Sequence, residues 1–248
     1  MNNLVTAVIP SYNRYAYLKD AIESVNIQLE NSKIKIIVIN DGSTQPEYKK
    51  NLFPDNVKVL NLNKNQKILN GYSSDAIRNL AIDEINTKYI AFLDDDDCWL
   101  QGKLSKQLDK MQKFNYKFSA TEGFIGKGKF NSKNKYQKYN SEYYFEQISK
   151  KYVNNSLIDN FKGYKSLFTI PETINKEFLS VHNVIITSSV VVEKEVFCSV
   201  GMFDSRLPNG IGDYECWKKI LNYHDCLYIN EPLFYYDLNH AEGSYYDL

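Results

Sequence analysis

The chain has no excess of either charge, since 30 lysine and arginine residues balance 30 aspartate and glutamate residues across 248 positions. Such a balance sets up no general field toward nucleic acid or an anionic membrane, so a charged partner must be selected locally. Cysteine is sparse: Cys98, Cys198, Cys216 and Cys226 show no CxxC spacing, which reads as reduced thiols and a cytoplasmic location. No apolar run approaches the roughly 20 residues that span a bilayer, and no basic leader precedes one. Peripheral contact is then the one membrane association expected. Glycine-rich phosphate loops are missing too. Neither GxxxxGK[ST] nor GxGxxG occurs, which argues against a P-loop nucleotidase and a dinucleotide dehydrogenase. No internal repeat is found.

What is present in the first hundred residues alternates between two periods. "LVTAVIP" (4–10), "KIIVIN" (35–40), "VKVLNL" (57–62) and "YIAFLD" (89–94) are short, β-rich runs. Between them, 17–30 and 73–85 space apolar residues three and four apart, as amphipathic helices do. This alternation predicts an α/β fold with a mostly parallel sheet and helices on its faces. Ligands of such sheets sit beyond the strand carboxyl ends, where "PSYNR", "NDGS" and "DDDD" follow the first, second and fourth runs. From about 126 to 170 the chain turns Lys-, Asn- and Tyr-rich, as either an ordered helix–loop insertion or a mobile acceptor-side segment. A further strand and short helix are predicted over 183–197, a helix over 213–222 and extended chain over 226–236.

The segment "YIAFLDDDDCWL" (89–100) runs an apolar strand into four aspartates. Adjacent carboxylates repel one another unless a cation, a helix N-terminus or water takes up their charge. A helix over "CWLQGKLSKQLDKM" would use Asp97 or Asp96 as a cap. Capping does not account for Asp94 and Asp95 at the strand tip, whereas Mg²⁺ or Mn²⁺, which favour oxygen ligands and substrate phosphates, does. Alternate side chains of an extended segment share a side, so Asp94 and Asp96 are expected to reach one ion. With no glycine-rich loop available, the economical phosphate partner is a nucleotide diphosphate bridged to that metal.

"VTAVIPSYNR", "IIVINDGS", "AIRNLAI", "YIAFLDDDDCW", "VGMFD" and "GIGDYECW" stand in the order of the family 2 glycosyltransferases. The chain resembles that family over residues 4 to about 125 and about 183 to 223. The resemblance implies a GT-A fold: a single Rossmann-like, mostly parallel sheet flanked by helices, with a C-terminal acceptor-side region. It also implies inverting transfer, of the type used in bacterial surface polysaccharide synthesis. By the resemblance, Pro10, Ser11 and Tyr12 line the nucleotide pocket, with the Tyr12 ring as a stacking surface and Arg14 nearby. Asp41 accepts a hydrogen bond from the base edge, although Asp-Gly-Ser alone is ordinary turn chemistry. Arg78 meets a phosphate or a carboxylate, and Asn79 orients the aspartate loop.

Asp94 and Asp96 take the D-x-D positions, with Asp96 as direct ligand and Asp95 facing the ribose or donor sugar; the register stays open by one residue. Asp213 matches the catalytic base, which deprotonates an acceptor hydroxyl as it attacks the anomeric carbon opposite the leaving nucleotide diphosphate. Gly212 stands where many relatives carry glutamate, Glu215 is the fallback base, and capping of its helix is the structural alternative for Asp213. His240 in "LNHAEGS" is a candidate third metal ligand, while His182 and His224 stay unassigned.

The expectation is therefore a glycosyltransferase dependent on Mn²⁺ or Mg²⁺. It would move a sugar from a nucleotide diphosphate sugar, UDP-linked by preference, to a hydroxyl of a glycan or lipid-linked acceptor. Residues 1–125 form the nucleotide-sugar half and 126–248 the acceptor half of one domain. Nucleic acid is not an expected partner, and the expected location is the cytoplasm, peripheral at the inner face of the cell membrane. Two alternatives stay open. A sugar-1-phosphate nucleotidyltransferase would normally need a phosphate loop rich in glycine and basic residues after the first strand, and "PSYNRYAY" has no glycine. A glycan-binding or assembly protein of the same fold would bind without turnover.

Overall fold

The computed structural model describes residues 4–28, 34–49, 52–71, 74–154, 170–207 and 211–239. Among the described residues, ten strands form one sheet: β1 Val5–Ser11, β2 Ile34–Asn40, β3 Val57–Asn61, β4 Tyr89–Phe92, β5 Cys98–Trp99, β6 Phe118–Gly126, β7 Gln137–Lys138, β8 Thr173–Ile174, β9 Val191–Glu193 and β10 Cys226–Asp237. Their order is β3-β2-β1-β4-β9-β6-β10-β5, with β7 on β6 and β8 on β10. Strands β3, β2, β1 and β4 pair in parallel; β9 runs against both β4 and β6, and β10 is again parallel to β6. Six strands therefore share one direction, in agreement with the expected mostly parallel α/β sheet.

The period of two in the sequence separates two cores. Val8, Ile37, Ile39, Ile90 and Phe92 point to one face, packed with Phe197, Phe203 and Trp217. Val5, Ala7, Ile9, Ile36, Val38 and Ala91 point to the other, covered by Leu18, Ala21 and Val25 of the helix Tyr15–Asn26 and by Leu104, Leu108 and Met111 of the helix Lys103–Phe114. Every residue of β1 is buried, because helices cover both sides of the strand.

The predicted helix over 73–85 is two pieces, an α-turn at Ser74–Ile77 and a 3₁₀ stretch at Arg78–Glu84. The pitch tightens where Arg78 and Asn79 leave the helix surface for contacts described below. The predicted 213–222 helix spans Gly212–Ile220. Strand β6 carries no apolar alternation, because its Ser119, Thr121 and Glu122 are buried polar groups. Glu122 accepts hydrogen bonds from the backbone of Gly123, Asn140 and Ser141, and so anchors the π-turn Tyr139–Tyr143 to the sheet. The Lys/Asn/Tyr-rich region is ordered through the helix Phe145–Asn154. Among the described residues, no helix is long and apolar enough to cross a membrane.

Candidate functional site

The site gathers at the carboxyl ends of β1, β2 and β4. Three loops meet there because their side chains are tied together. Asn13, held at a positive φ of 53°, accepts from the amides of Thr44 and Gln45 at 2.8 and 3.3 Å, and its own N–H donates to Ser43 at 3.0 Å. Gly42 is required at its turn: φ is +75°, and a Cβ would fall 2.6 Å from the backbone of Lys64 and Asn65.

The four aspartates do not lie in one extended run. The Asp97 amide donates to the Asp94 carbonyl at 3.2 Å, so the chain turns and returns Asp97 to the side of Asp94. Carboxylate oxygens of Asp94, Asp96 and Asp97 all lie within 4.8 Å of one another. Ser188 donates to Asp97 at 2.5 Å while accepting from the Asp94 amide at 3.1 Å, and the Asp237 amide donates to Asp97 at 3.0 Å. Asp97 thus belongs to the cluster and is not a helix cap. The helix that follows starts at Lys103 behind Gly102, with no capping side chain. Burial drives the Asp97 carboxyl well above the ordinary carboxylate range, and the charges of Asp96 and Asp94 add to the effect.

Asp95 was expected to face ribose or sugar, but it points inward. Ser11 donates to it at 2.6 Å, and the Arg14 guanidinium bridges Asp95 and Asp96 at 2.9 and 2.8 Å. Burial lifts Asp95 to about 7 against the opposing pull of Arg14. Arg14 is itself buried, so it serves the aspartates and not a nucleotide surface. Pro10 is a buried residue of β1 opposite Ile39, and Ser11 is spent on Asp95 and Tyr48; of the expected pocket lining, only Tyr12 stands beyond the strand, partly exposed. Asp41 is fully buried, accepting from Asn65 at 2.9 Å and from the Gln66 amide at 2.8 Å.

Arg78 ion-pairs with Asp94 and reaches Asp75 at 3.4 Å, so carboxylates are among its partners. Asn79 does not orient the aspartate loop. Its amide clamps the backbone of Phe203, donating to the carbonyl at 2.7 Å and accepting from the N–H at 3.3 Å. The "VGMFD" turn is thereby fastened to the same wall of the site.

Asp213 opens the helix Gly212–Ile220 without capping it; Ile211 holds that position. Its oxygens accept from Thr187 Oγ1 at 3.2 Å and from the Tyr214 amide at 2.6 Å. Burial, reinforced by the charge of Asp75, raises it to about 7, where a carboxylate can take up a proton at neutral pH. Glu215 is engaged with Lys218 at 3.0 Å on the helix surface, a poorer place for a base. His240 lies outside the described residues.

Sequence reasoning missed three contributors. Ser188 has no local signal, Asp75 is marked only by its three-residue spacing from Arg78, and Tyr139 sits in the π-turn with Asp97 and Asp213 among the charges acting on its hydroxyl. Six carboxylates (75, 94, 95, 96, 97 and 213) thus gather around two guanidinium groups, Arg14 and Arg78. An all-oxygen set with surplus negative charge suits Mg²⁺ or Mn²⁺ and not a soft metal.

Residues 6–172 match the family model described as Glycosyl transferase family 2. The chain is 32% identical over 124 residues to a putative teichuronic acid biosynthesis glycosyltransferase of Bacillus subtilis, covering 48% of this chain and 46% of that protein. It is also 32% identical over 129 residues to an Escherichia coli UDP-Glc:alpha-D-GlcNAc-diphosphoundecaprenol beta-1,3-glucosyltransferase, covering 50% and 47%. The chain spans less than half the length of these relatives, and 16% of an uncharacterized glycosyltransferase from Rickettsia bellii. Staphylococcus aureus TarS superposes with a TM-score of 0.62 at 15% identity over 94% of this chain and 60% of that one. A mannosyltransferase from Pyrobaculum calidifontis, solved with GDP-Man and Mn²⁺, gives 0.62 at 12% identity over 98% and 59%. The shared fold is GT-A.

Proposed function

We propose, for a chain that belongs to glycosyl transferase family 2, an inverting transfer of a sugar from a nucleotide diphosphate to an acceptor hydroxyl by single displacement. The observation that carries this reading is the arrangement around Arg78: it pairs with Asp94 of the aspartate cluster and, with Asp75, acts on Asp213. A leaving-group site and a base therefore share one wall of the cleft.

In this reading Asp94, Asp96 and Asp97 would hold the divalent ion. When bound, it neutralises charge growing on the departing diphosphate. The loops after β1 and β2, with Tyr12 and Asp41, hold the nucleotide. Asp213 accepts the acceptor hydroxyl's proton as that oxygen attacks the anomeric carbon on the face opposite the diphosphate. Arg78 keeps Asp94 turned toward the cluster. Tyr139 and Tyr236, whose hydroxyls feel the aspartate charges, come from residues 126–248 and support the reading of that half as the acceptor side. UDP as the nucleotide is supported by the UDP-sugar named for the E. coli relative and by TarS solved with UDP-GlcNAc. A lipid-linked or growing surface glycan as acceptor, reached from the cytoplasmic face of the membrane, is supported by the diphosphoundecaprenol substrate of that relative and by the teichuronic acid relative.

The test is to incubate the protein with UDP-, GDP- and TDP-sugars, each with and without Mn²⁺, and to measure nucleoside diphosphate release. Release of UDP that depends on Mn²⁺ is expected. Pyrophosphate release from a nucleoside triphosphate and a sugar phosphate, or binding without turnover, overturns the reading.

A further inference from the structure

Next to the base lies a second carboxylate. Asp75 is buried, and its Oδ1 accepts from Arg78 at 3.4 Å while its Oδ2 has no hydrogen-bond partner among the described residues. Oδ2 instead sits against Gly212: a Cβ added there would lie 2.8 Å from Asp75 Oδ2 and 3.1 Å from its Cβ. Burial raises the Asp75 carboxyl above the ordinary carboxylate range against the pull of Arg78; the amides of Gly212 and Asp213 also favour its charged form, without closing a bond of standard geometry. Only a residue without a side chain lets this carboxylate reach the first turn of the Asp213 helix.

We infer that Asp75 is a positioning residue for the base: it occupies the space that Gly212 leaves open, fixes Arg78 between itself and Asp94, and sets a second negative charge beside Asp213. The inference rests on the reading of Asp213 as the proton acceptor. The two buried carboxylates repel and Arg78 compensates them only in part, because it is shared with Asp94. The groups facing Asp213 are Asp75 and Arg78 from the helical stretch ahead of β4, Thr187 from the turn before β9, Tyr139 from the π-turn, and Cys216 on its own helix. After burial itself, the charge of Asp75 is the strongest influence on Asp213, and it acts in the direction of raising proton affinity. A base for a sugar hydroxyl gains from that, since proton uptake near neutral pH matches the working pH.

The experiment compares wild type with Asp75→Asn, which keeps the shape and removes the charge, using UDP-glucose and UDP-N-acetylglucosamine with Mn²⁺. In wild type the acid limb of the pH–rate profile is expected near 7. In Asp75→Asn it should move at least one pH unit lower, so that the ratio of rates at pH 5 and pH 8 rises about tenfold or more. An unmoved limb in a folded variant overturns the inference. Gly212→Ala supplies the second arm: its Cβ displaces the Asp75 carboxylate, and kcat should fall at least tenfold with donor KM unchanged, whereas unchanged kcat counts against the inference even if Asp75→Asn does not fold. Carbon-13 titration of aspartate carboxyls, with Asp213→Asn assigning the resonance, separates the two layers. A midpoint lowered by Asp75→Asn supports the charge coupling even when no tested sugar is transferred, and an unchanged midpoint overturns it whether or not the transfer reading stands.

Discussion

Replacing Arg14 by methionine keeps most of the side chain's volume but strips the charge from a buried site. The guanidinium bridges Asp95 and Asp96, and all three side chains are 6–7% exposed. Removing one partner of a buried ion pair leaves an uncompensated charge and typically costs about 3–5 kcal/mol. For a chain of this size, each kcal/mol shifts the melting temperature by roughly 2–4 °C, so the apo variant should melt about 6–20 °C lower at pH 8. Acid relieves part of that cost. Asp95 already takes up its proton at about 7, and without Arg14 it should do so higher still, so the deficit should shrink at pH 5.5. A divalent ion offers a second relief, because Asp96 also belongs to the three-carboxylate cluster. Mn²⁺ at a hundred times its dissociation constant contributes about 2.7 kcal/mol through mass action. The thermal shift produced by Mn²⁺ should therefore be larger in the variant than in wild type. The assay is differential scanning fluorimetry at the two pH values with an Mn²⁺ titration. A variant melting within about 2 °C of wild type at pH 8, or one that gains no more from Mn²⁺ than wild type does, refutes the idea that guanidinium and metal serve the same carboxylates.

Asp213→Asn should retain donor affinity and lose about 10²–10⁴ in transfer rate, and the wild-type rate should climb with pH through about 7; a flat profile between pH 5 and 8 contradicts the assignment. The same raised carboxyl binds a proton in the folded state that the unfolded chain releases, so stability declines as pH rises from about 4 to about 7, and the variant should flatten that slope in denaturant melts. Asp96→Ala should abolish the Mn²⁺-dependent part of UDP affinity measured by calorimetry; affinity that still responds to EDTA would move the direct ligand to Asp94 or Asp97. Lys103 is fully buried with its Nζ on Gln107 at 2.7 Å and over the Trp99 ring at 4.4 Å, and burial holds it well below the ordinary lysine range. Its folded form binds fewer protons than the unfolded one, so stability should rise with pH toward about 10.4. Lys103→Met should remove that slope while changing stability at pH 8 by only about 1 kcal/mol, and a loss above about 3 kcal/mol would show that a charged lysine is needed there.

The parallel half of the sheet was legible because β1, β2 and β4 are nearly continuous apolar runs, the pattern of strands covered on both faces. Strand β6 escaped notice for the opposite reason. Its buried Glu122 and Ser119 are satisfied by partners far along the chain, the π-turn amides and Gln107, and no local window contains them. Within the site, the period-two rule for extended chain paired Asp94 with Asp96; their carboxylate oxygens do lie within 4.8 Å of each other, but across a turn and not along an extended run. The rule gave Asp97 no place beside them, because a hydrogen bond to the Asp94 carbonyl folds the chain back on itself, and the family resemblance turned Asp95 toward ribose or sugar because Arg14, 81 positions away, could not be seen beside it. The motif residues were thus found by type, while their division of labour depends on which cation reaches which carboxylate. That division also explains how a run of four aspartates survives folding: Arg14 holds Asp95 and Asp96, Arg78 holds Asp94, and Ser188 with the Asp237 amide holds Asp97. All four carboxylates have a donor before any metal arrives, with Asp95 and Asp96 sharing Arg14. Removing one donor should therefore increase the dependence of the fold on the ion without dissolving the cluster.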